Sequence, residues 1–383
     1  MKINVILQPR RNIMEEKKAP AFHGSDLELI EEYYNIPKEK IVSFGANVNP
    51  LGLSDSVRKS LSEQLDVITR YPDREYTALR KVIADYCEVD YQNVVTGNGS
   101  TELISLLISH RNARHALVIG PTYSEYEREL SLTGGHMSFF NLKEKNDFRL
   151  NIEALRSRLD AEADIDFLIL CNPNNPTSSA LTAEELEVVI QECRNRGIFV
   201  MIDETYVEFA PVVSLITAIP LTKRYDNLMI IRGVSKFFAA PGLRLGYGIT
   251  GNEAFLSTLK KYQNPWSLNS IGALAGELML TDTEYIQKTR ELILSERERM
   301  CNYLDSFQYA KYYRPYANFI LVKILKEGLT SHQVFEHAIR QGLMIRDCSS
   351  FESLNGEFIR FCIMNPEDNT RLIQCLGELL NPS

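Results

Sequence analysis

The chain of 383 residues lacks the features of three large classes of protein. No apolar run approaches the roughly 18 to 20 residues that a membrane-spanning helix requires. Acidic residues outnumber basic ones, 50 to 42, and the net charge of −8 provides no positive field for nucleic acid or anionic membranes. The seven cysteines are an odd number, and none stands at Cys-x-x-Cys spacing. We therefore expect a reduced, cytoplasmic protein without a zinc site or other metal.

The amino-terminal residues also lack the pattern of a secretion signal. Their apolar stretch, residues 3–7, is shorter than a signal core, and charged residues follow it without a small-residue cleavage site. We expect residues 1–22 to form an arm outside the folded core.

What the sequence does contain is a regular alternation of strand and helix signals. Short apolar runs bounded by polar residues or glycine predict strands buried on both faces, at residues 116–119, 167–170, 198–202 and 228–231. Between them, Thr182 and Glu185 have the spacing of a capping box at the start of an amphipathic helix, which Gly197 ends. This alternation predicts an α/β fold, a mostly parallel sheet flanked by helices, with ligands at the carboxyl ends of the strands.

The last third of the chain has a different pattern. Residues from about 271 to 310 predict long helices, and shorter strands and a helix follow near 319–322, 331–341 and 358–361. We therefore expect two domains. The large domain comprises residues 68–271, and a smaller α+β domain combines residues 23–67 with 272–383.

Two loops that follow predicted strands carry polar groups. Residues 94–98 lead through Gly99 into a helix that begins near Thr101, and free N–H groups at a helix start can bind an anion. An ordinary tight turn is the alternative. Residues 171–178 hold two Asn-Pro steps, which force extended backbone and place amide side chains at the sheet edge. A rigid turn is the alternative there.

Charged residues follow two further strands. A buried carboxylate such as Asp203, after the strand ending at Ile202, needs either a structural arginine or a cofactor cation as its partner. Lys236 lies between a buried strand and an apolar turn, where desolvation lowers the pKa of an amine and makes it a nucleophile. Arg244 follows and offers a guanidinium for an anion. An anion cup, amide donors, an acid and a nucleophilic lysine are together the parts that hold pyridoxal 5′-phosphate (PLP).

With these motifs over nearly its whole length, the chain resembles the fold-type I PLP enzymes of the aspartate aminotransferase superfamily. The resemblance implies that Lys236 forms the Schiff base and shuttles protons, and that Asp203 pairs with the pyridine nitrogen. Asn175 and Tyr206 would hydrogen-bond the ring hydroxyl. The resemblance therefore gives Lys236, Asp203 and Tyr206 as the expected catalytic residues. Tyr123 would stack on the ring. The expected phosphate ligands are Gly99, Ser100, Thr101, Ser235 and Arg244.

The same resemblance implies a homodimer with shared active sites, in which Tyr71 reaches the phosphate of the neighbouring subunit. Two positions depart from the family pattern. Ser178 stands where relatives often have glycine, and Gly233 stands where they usually have a hydroxyl residue.

Within the superfamily, the start His23-Gly24 and the segment 46–52 resemble the L-threonine-O-3-phosphate decarboxylases of cobalamin biosynthesis. This implies decarboxylation of a small phosphorylated amino acid, because the site chooses the bond to be broken by where it anchors the anions of the substrate. The expected substrate ligands are His23, Asn47, Arg346 and Arg360. A histidinol-phosphate-type aminotransferase is the alternative. A non-catalytic PLP-binding regulator is a third class, which the negative net charge disfavours.

Overall fold

The computed structural model describes residues 22–122 and 125–381. The helices are α1 (Leu27–Tyr34), α2 (Asp55–Glu63), α3 (Thr77–Cys87), α4 (Gly99–Arg111), α5 (Glu125–Leu132), α6 (Ile152–Ala161), α7 (Ala183–Asn195), α8 (Glu253–Tyr262), α9 (Ser270–Thr281), α10 (Thr283–Leu304), α11 (Ser331–Arg340) and α12 (Pro366–Leu380). The strands are β1 (Val42–Ser43), β2 (Val94–Asn98), β3 (His115–Gly120), β4 (His136–Asn141), β5 (Phe167–Cys171), β6 (Phe199–Asp203), β7 (Leu228–Gly233), β8 (Leu245–Ile249), β9 (Ala310–Tyr312), β10 (Phe319–Ile324), β11 (Leu343–Met344), β12 (Arg346–Asp347) and β13 (Phe358–Cys362).

The central sheet of the described chain has seven strands, in the order β2-β8-β7-β6-β5-β3-β4. Its neighbouring strands are parallel except at β8, which runs antiparallel to both β2 and β7. The four predicted strands are β3, β5, β6 and β7, and every residue in them is buried. The predicted α/β fold with a mostly parallel sheet is therefore confirmed.

The clearest predicted helix is α7. Thr182 and Glu185 form the capping box, each side chain accepting a hydrogen bond from the backbone of the other. The apolar positions buried on its inner face are Leu186, Val189, Ile190 and Cys193. After the helix, Gly197 has φ +72°, a conformation that glycine adopts without strain.

The last third of the chain forms a second, antiparallel sheet in the order β12-β13-β10-β9. The early strand β1 pairs with β11, so that the segment before the central sheet joins this region. The boundaries of the two predicted domains stay a prediction. Residues 1–21 of the predicted arm lie outside the described residues. Phe22, which we predicted to be part of that arm, is instead buried against Phe335, because its apolar ring finds an aromatic cluster there.

A buried ion pair joins the carboxyl ends of β6 and β7. Arg232 donates from Nη2 and Nε to Oε2 of Glu204, over 2.7 and 3.0 Å, and Thr217 donates to the same oxygen. Glu204 directly follows Asp203, and Arg232 precedes the loop of Lys236. The pair therefore holds the two predicted catalytic loops at one edge of the sheet.

No helix within residues 22–122 and 125–381 has the length and apolarity needed to cross a membrane. All seven cysteines are free thiols. Burial raises the pKa of the Cys362 thiol to about 11, and it also raises the pKa of Cys171 beside the site described below. Neither thiol is therefore an activated nucleophile.

Candidate active site

The carboxyl ends of β6 and β7 border a cavity of about 360 Å³. Most of the predicted site residues line it, although they come from distant parts of the chain. They are His23, Asn47, Ser100, Thr101, Asn175, Asp203, Tyr206, Ser235, Lys236, Arg244 and Arg360. Their assembly in one cavity supports the predicted site, while the role of each residue stays a prediction.

Lys236 projects into this cavity from the loop after β7. Its Nζ donates a hydrogen bond of 2.7 Å to the carbonyl oxygen of Ala46. Burial, and then the cation of Arg360, lower the pKa of Lys236 to about 8. The side chain of Asn49 donates to the carbonyl of Phe237 over 2.7 Å, and its backbone N–H donates to the carbonyl of Lys236 over 3.0 Å. The amine is thus held in place and is partly neutral near neutral pH.

Asp203 lies at the end of β6 with its carboxylate almost fully buried. Oδ1 accepts from the backbone N–H of Thr205 over 2.9 Å and from its hydroxyl over 2.5 Å. Oδ2 accepts from the hydroxyl of Tyr126 over 2.8 Å. The three donors satisfy a carboxylate that has no arginine partner among the described residues, which leaves it available to a cofactor cation.

Sequence reasoning missed Thr205 and Tyr126. The contact of Thr205 could have been predicted, because the side chain of an aspartate commonly accepts a hydrogen bond from the backbone N–H two residues later. Tyr126 stands three residues after the predicted ring-stacking Tyr123, and that helical spacing was the available hint. Tyr123 itself lies outside the described residues.

The first turn of α4 forms an anion cup with Arg244. Gly99 has φ +80°, a conformation that favours glycine, and a Cβ at this position would lie 2.5 Å from Nη2 of Arg244 and displace that guanidinium. Ser100 and Thr101 follow in the first turn, where N–H groups have no partner within the helix. Free N–H groups, two hydroxyls and a guanidinium are a donor set that suits a phosphate group.

Asn47, Tyr206 and Asn175 gather on another wall of the cavity. Nδ2 of Asn47 donates to the hydroxyl of Tyr206 over 3.3 Å, and burial raises the pKa of that hydroxyl above its usual value. Oδ1 of Asn47 is buried without a hydrogen-bond partner in the described part of the chain. Oδ1 of Asn175 accepts from Nη1 of Arg360, while both residues line the cavity. An unpaired buried acceptor is a group that a bound ligand would satisfy.

These observations test whether PLP fits the cavity. The glycine-lined anion cup suits its phosphate, the buried carboxylate of Asp203 suits a protonated ring nitrogen, and the amine of Lys236 suits its aldehyde carbon. The residues present therefore fit the predicted cofactor.

A second chamber of about 430 Å³ adjoins the first and shares His23, Asn175 and Arg360 with it. Arg346 in β12 also lines this chamber, directly opposite Arg360 in the antiparallel register. Arg346 donates to the carbonyl of Phe22 and, over 2.8 Å, to the hydroxyl of Ser350. No carboxylate within the described residues pairs with either arginine.

Burial and neighbouring cations lower the pKa values of Arg346 and His23. The pKa of Arg346 is lowered by burial and by Arg360, and the pKa of His23 is lowered by partial burial and by Arg346. Nδ1 of His23 lies 2.8 Å from the hydroxyl oxygen of Ser25. Two arginines without a carboxylate partner among the described residues, together with a histidine, thus give this second chamber, named the anion-binding chamber below, donors that suit an anion.

The structure explains the residues found at Ser178 and Gly233, the two positions that depart from the family pattern. Ser178 has φ +58°, where glycine has no steric cost, but its hydroxyl accepts from the N–H groups of Tyr316 and Ala317 over 3.1 and 2.9 Å. The serine therefore closes a loop contact that glycine cannot make. At Gly233, a Cβ would lie 3.1 Å from the carbonyl oxygen of Leu245, which leaves little room for a side chain.

Tyr71 lies outside the cavity. Its side chain is 83 % exposed and its ring contacts that of Trp266 at a centroid distance of 5.0 Å. In a single chain the residue therefore contributes nothing to the site, and the predicted contact with a neighbouring subunit stays a prediction.

Comparison with known proteins connects this site to a family. The family "Aminotransferase class I and II" matches residues 39–376. The chain is 37% identical over 334 residues to a protein of Caldanaerobacter subterraneus named "Putative threonine-phosphate decarboxylase", covering 87% of this chain and 89% of the relative. It is 30% identical over 358 residues to the threonine-phosphate decarboxylase of Salmonella typhimurium, covering 94% of this chain and 96% of the relative.

Among solved structures, the chain resembles the histidinol-phosphate aminotransferase from Clostridium acetobutylicum with a TM-score of 0.82 and 32% identity, covering 88% of this chain and 98% of that one. The predicted cofactor, PLP, is that of the matched family. The family match over most of the chain confirms the predicted superfamily and the expectation of an enzyme. The chain therefore belongs to the class I and II aminotransferase family.

Proposed function

We propose that this protein is a PLP-dependent decarboxylase of L-threonine O-3-phosphate, releasing CO2 and aminopropanol phosphate in cobalamin biosynthesis. Two relatives at 37% and 30% identity carry the name of that activity, one of them provisionally. Their likeness supports the reaction class, and the anion-binding chamber beside Lys236 supports the substrate class.

The pairing of Arg346 with Arg360 carries the proposal. Like charges placed directly across neighbouring strands repel each other, and an anion bound between or beside them would offset that repulsion. Threonine phosphate has two anionic groups, a carboxylate and a phosphate, which match two cations. Histidinol phosphate has a phosphate but no carboxylate.

The residues that would hold PLP follow from the fit above. The anion cup with Arg244 and Ser235 would take its phosphate, and Asn175 and Tyr206 its ring hydroxyl. Asp203 would keep a proton on the ring nitrogen, and Lys236 would supply the neutral amine that attaches the cofactor and later moves a proton at its Nζ. When bound, PLP supplies an electron sink that stabilises negative charge on the carbon next to the substrate nitrogen.

The arginines would then decide which bond reacts. A bond breaks when it stands perpendicular to the cofactor ring, and the positions of the bound anions set its orientation. We propose that Arg346, Arg360 and His23 hold the phosphate and the carboxylate so that the bond to the carboxylate takes this position. Oδ1 of Asn47, which has no hydrogen-bond partner among the described residues, would accept a hydrogen bond from the substrate.

We further propose that the protein is a homodimer with shared active sites. Tyr71 is strongly exposed beside Trp266, and two exposed apolar residues, Leu65 and Ile68, precede it. An exposed apolar surface of this kind is typical of a subunit interface. In the dimer, Tyr71 would reach the anion cup of the partner.

A histidinol-phosphate-type aminotransferase is the second candidate. The 32% identity to a solved enzyme of that name favours it. An oxo acid with two carboxylates would also match two arginines, but such an enzyme requires that oxo acid to complete its cycle.

A substrate panel tests the proposal. Purified, PLP-loaded protein is given O-phospho-L-threonine, L-threonine, or histidinol phosphate with an oxo acid, and CO2 and amine transfer are measured. We expect CO2 from O-phospho-L-threonine alone, with a specificity of at least about 100-fold over L-threonine, because a charged hydrogen-bonded group is lost. Amine transfer from histidinol phosphate without any CO2 would establish the second candidate instead.

A further inference from the structure

A cluster of side chains able to ligate a metal lies at the amino ends of the strands of the central sheet, whereas the cavity lies at their carboxyl ends. His115 begins β3 and His136 begins β4, and the two residues are register partners in the parallel pair. Their rings lie at a centroid distance of 4.1 Å. Asp164 joins them from the loop before β5. None of the three takes part in the proposed reaction.

The geometry of the cluster suits a metal ion. Nδ1 of His115 lies 3.0 Å from Oδ2 of Asp164, and one ligand atom from each of His115, His136 and Asp164 lies within 4.8 Å of the others. Two ligands bound to zinc at about 2.0 to 2.2 Å in a tetrahedron are separated by roughly 3.3 to 3.6 Å. The ligand atoms therefore lie within about 1.5 Å of these separations, and the side chains of His136 and Asp164 are exposed.

Groups around the cluster orient it. Nε2 of His115 lies 2.8 Å from the hydroxyl of Ser138, and a second hydrogen bond of this kind fixes the ring of a metal-ligating histidine. In the tautomer whose Nε2–H donates to Ser138, Nδ1 presents its lone pair to Asp164, and a bound cation would then take the place of the proton that otherwise joins these two atoms.

A further carboxylate adds negative charge beside the histidines. Oε2 of Glu162 is buried without a hydrogen-bond partner in the described chain and lies 3.9 Å from Nε2 of His115. The other oxygen of Glu162 pairs with Arg158 over 2.9 Å. A second acidic side chain beside the histidines favours a cation there.

We propose that His115, His136 and Asp164 bind a divalent transition-metal ion of the zinc class. Imidazole and carboxylate ligands together suit Zn²⁺, and the bound ion would tie β3, β4 and the loop before β5 together. The expectation of no zinc site rested on cysteine spacing, which says nothing of histidine and aspartate brought together by the fold. The proposal is independent of the proposed reaction.

The test uses untagged, PLP-loaded protein freed of metal with EDTA and titrated with ZnCl2 by calorimetry. We expect one Zn²⁺ per chain with a dissociation constant of about 10 µM or lower. His136→Ala and Asp164→Asn should each weaken binding by at least about ten-fold. His110→Ala is the matched control, since His110 stacks on Tyr262 away from the cluster and should leave binding unchanged.

A second measurement places the ion. Saturating Zn²⁺ should raise the thermal midpoint of the wild type by about 2 °C or more, but not that of His136→Ala. Anomalous diffraction from a zinc-soaked crystal should show the ion within about 2.2 Å of a His115 nitrogen. Absence of stoichiometric binding, or binding that His136→Ala and His110→Ala retain equally, would show an adventitious ion only and overturn the proposal.

Discussion

Arg346 and Arg360 face each other across β12 and β13, each in the chamber beside Lys236. Arg360 is held by the carbonyl of Gly45 over 2.5 Å and by Asn175. Arg346 is held by a carbonyl and a serine hydroxyl. Because none of these hydrogen-bond partners carries a charge, both guanidinium groups can still attract an anionic substrate.

Removing one of these cations should weaken binding of the phosphorylated substrate selectively. We expect Arg346→Gln to raise KM for O-phospho-L-threonine by about 10- to 100-fold, which corresponds to roughly 1.4 to 2.8 kcal/mol. Steady-state kinetics with L-threonine provide the control, because that substrate has no phosphate to lose. An equal effect on both substrates would contradict a role of Arg346 in holding the phosphate, because L-threonine has only the carboxylate.

The lowered pKa of Lys236 should control how fast the apoenzyme captures its cofactor. Only the neutral amine attacks an aldehyde, so the capture rate should rise with pH and level off above about 8, the pKa of the buried amine. The visible absorbance of protein-bound PLP, followed after mixing at a series of pH values, measures this rate.

Two variants sharpen this test. Arg360 is the second cause of the lowered pKa, so Arg360→Gln should move the pH midpoint upward. Arg346→Gln should move the midpoint less than Arg360→Gln, because Arg346 is not among the largest causes of the lowered pKa of Lys236. An unchanged midpoint in Arg360→Gln would show that the two cations do not interact.

The shared site of the proposed dimer should allow complementation between two inactive variants. Lys236→Ala removes the amine, and Tyr71→Ala removes the group proposed to act in the partner's site. In a mixed dimer one site then has both groups intact and the other has neither. Activity should therefore appear after subunits of the two variants are exchanged by mild denaturation and refolding. Mixed dimers without activity would show that Tyr71 does not act across the interface.

A buried acid outside the site should set part of the pH dependence of stability. Glu208 is buried, and its carboxyl oxygens have no hydrogen-bond partner among the described residues; the nearest cation, Arg232, is bonded to Glu204. Burial raises the pKa of Glu208 to about 7 from an ordinary 4.5. The folded state then binds a proton more tightly than the unfolded state, so this contribution to stability is full below about pH 4.5 and is lost as pH rises through 7.

Glu208→Gln mimics the protonated acid and should remove that loss. Above pH 7 the variant should be more stable than the wild type by about 1 to 3 kcal/mol, and near pH 4.5 the two should be alike. Denaturant unfolding at both pH values measures the difference. Glu204→Gln is the control of opposite sign, because it removes the carboxylate that lies 2.7 Å from the buried Arg232, leaves only Glu208 at 4.0 Å, and should destabilise the protein. A Glu208→Gln variant with the same pH profile as the wild type would contradict the account.

The parts of the fold that could be predicted are those with a local signal. The strands β5 and β6 follow from short apolar runs, and the start of α7 follows from the spacing of Thr182 and Glu185, since these patterns lie within a few residues. The order of Gly99, Asp203 and Lys236 along the chain identified the cofactor, because parallel strands bring their carboxyl ends to one edge.

Contacts between distant segments could not be predicted in this way. The oxygen that accepts the hydrogen bond from the Lys236 amine is the backbone carbonyl of Ala46. Every residue type has such a carbonyl, so that the sequence gives no sign of this contact. The register that places Arg346 opposite Arg360 depends on how two strands pair, and the hydroxyl of Tyr126 reaches Asp203 from a separate helix. The histidine cluster depends equally on which strands become neighbours, which is why cysteine spacing alone missed it.

The most direct measurement counts the CO2 released per active site from O-phospho-L-threonine in the complete absence of an oxo acid. A decarboxylase regenerates its cofactor in each cycle, so we predict many molecules of CO2 per site. The product should be aminopropanol phosphate. Conversion of the bound cofactor to its amine form once per site, without CO2, would contradict the proposed decarboxylase and identify an aminotransferase.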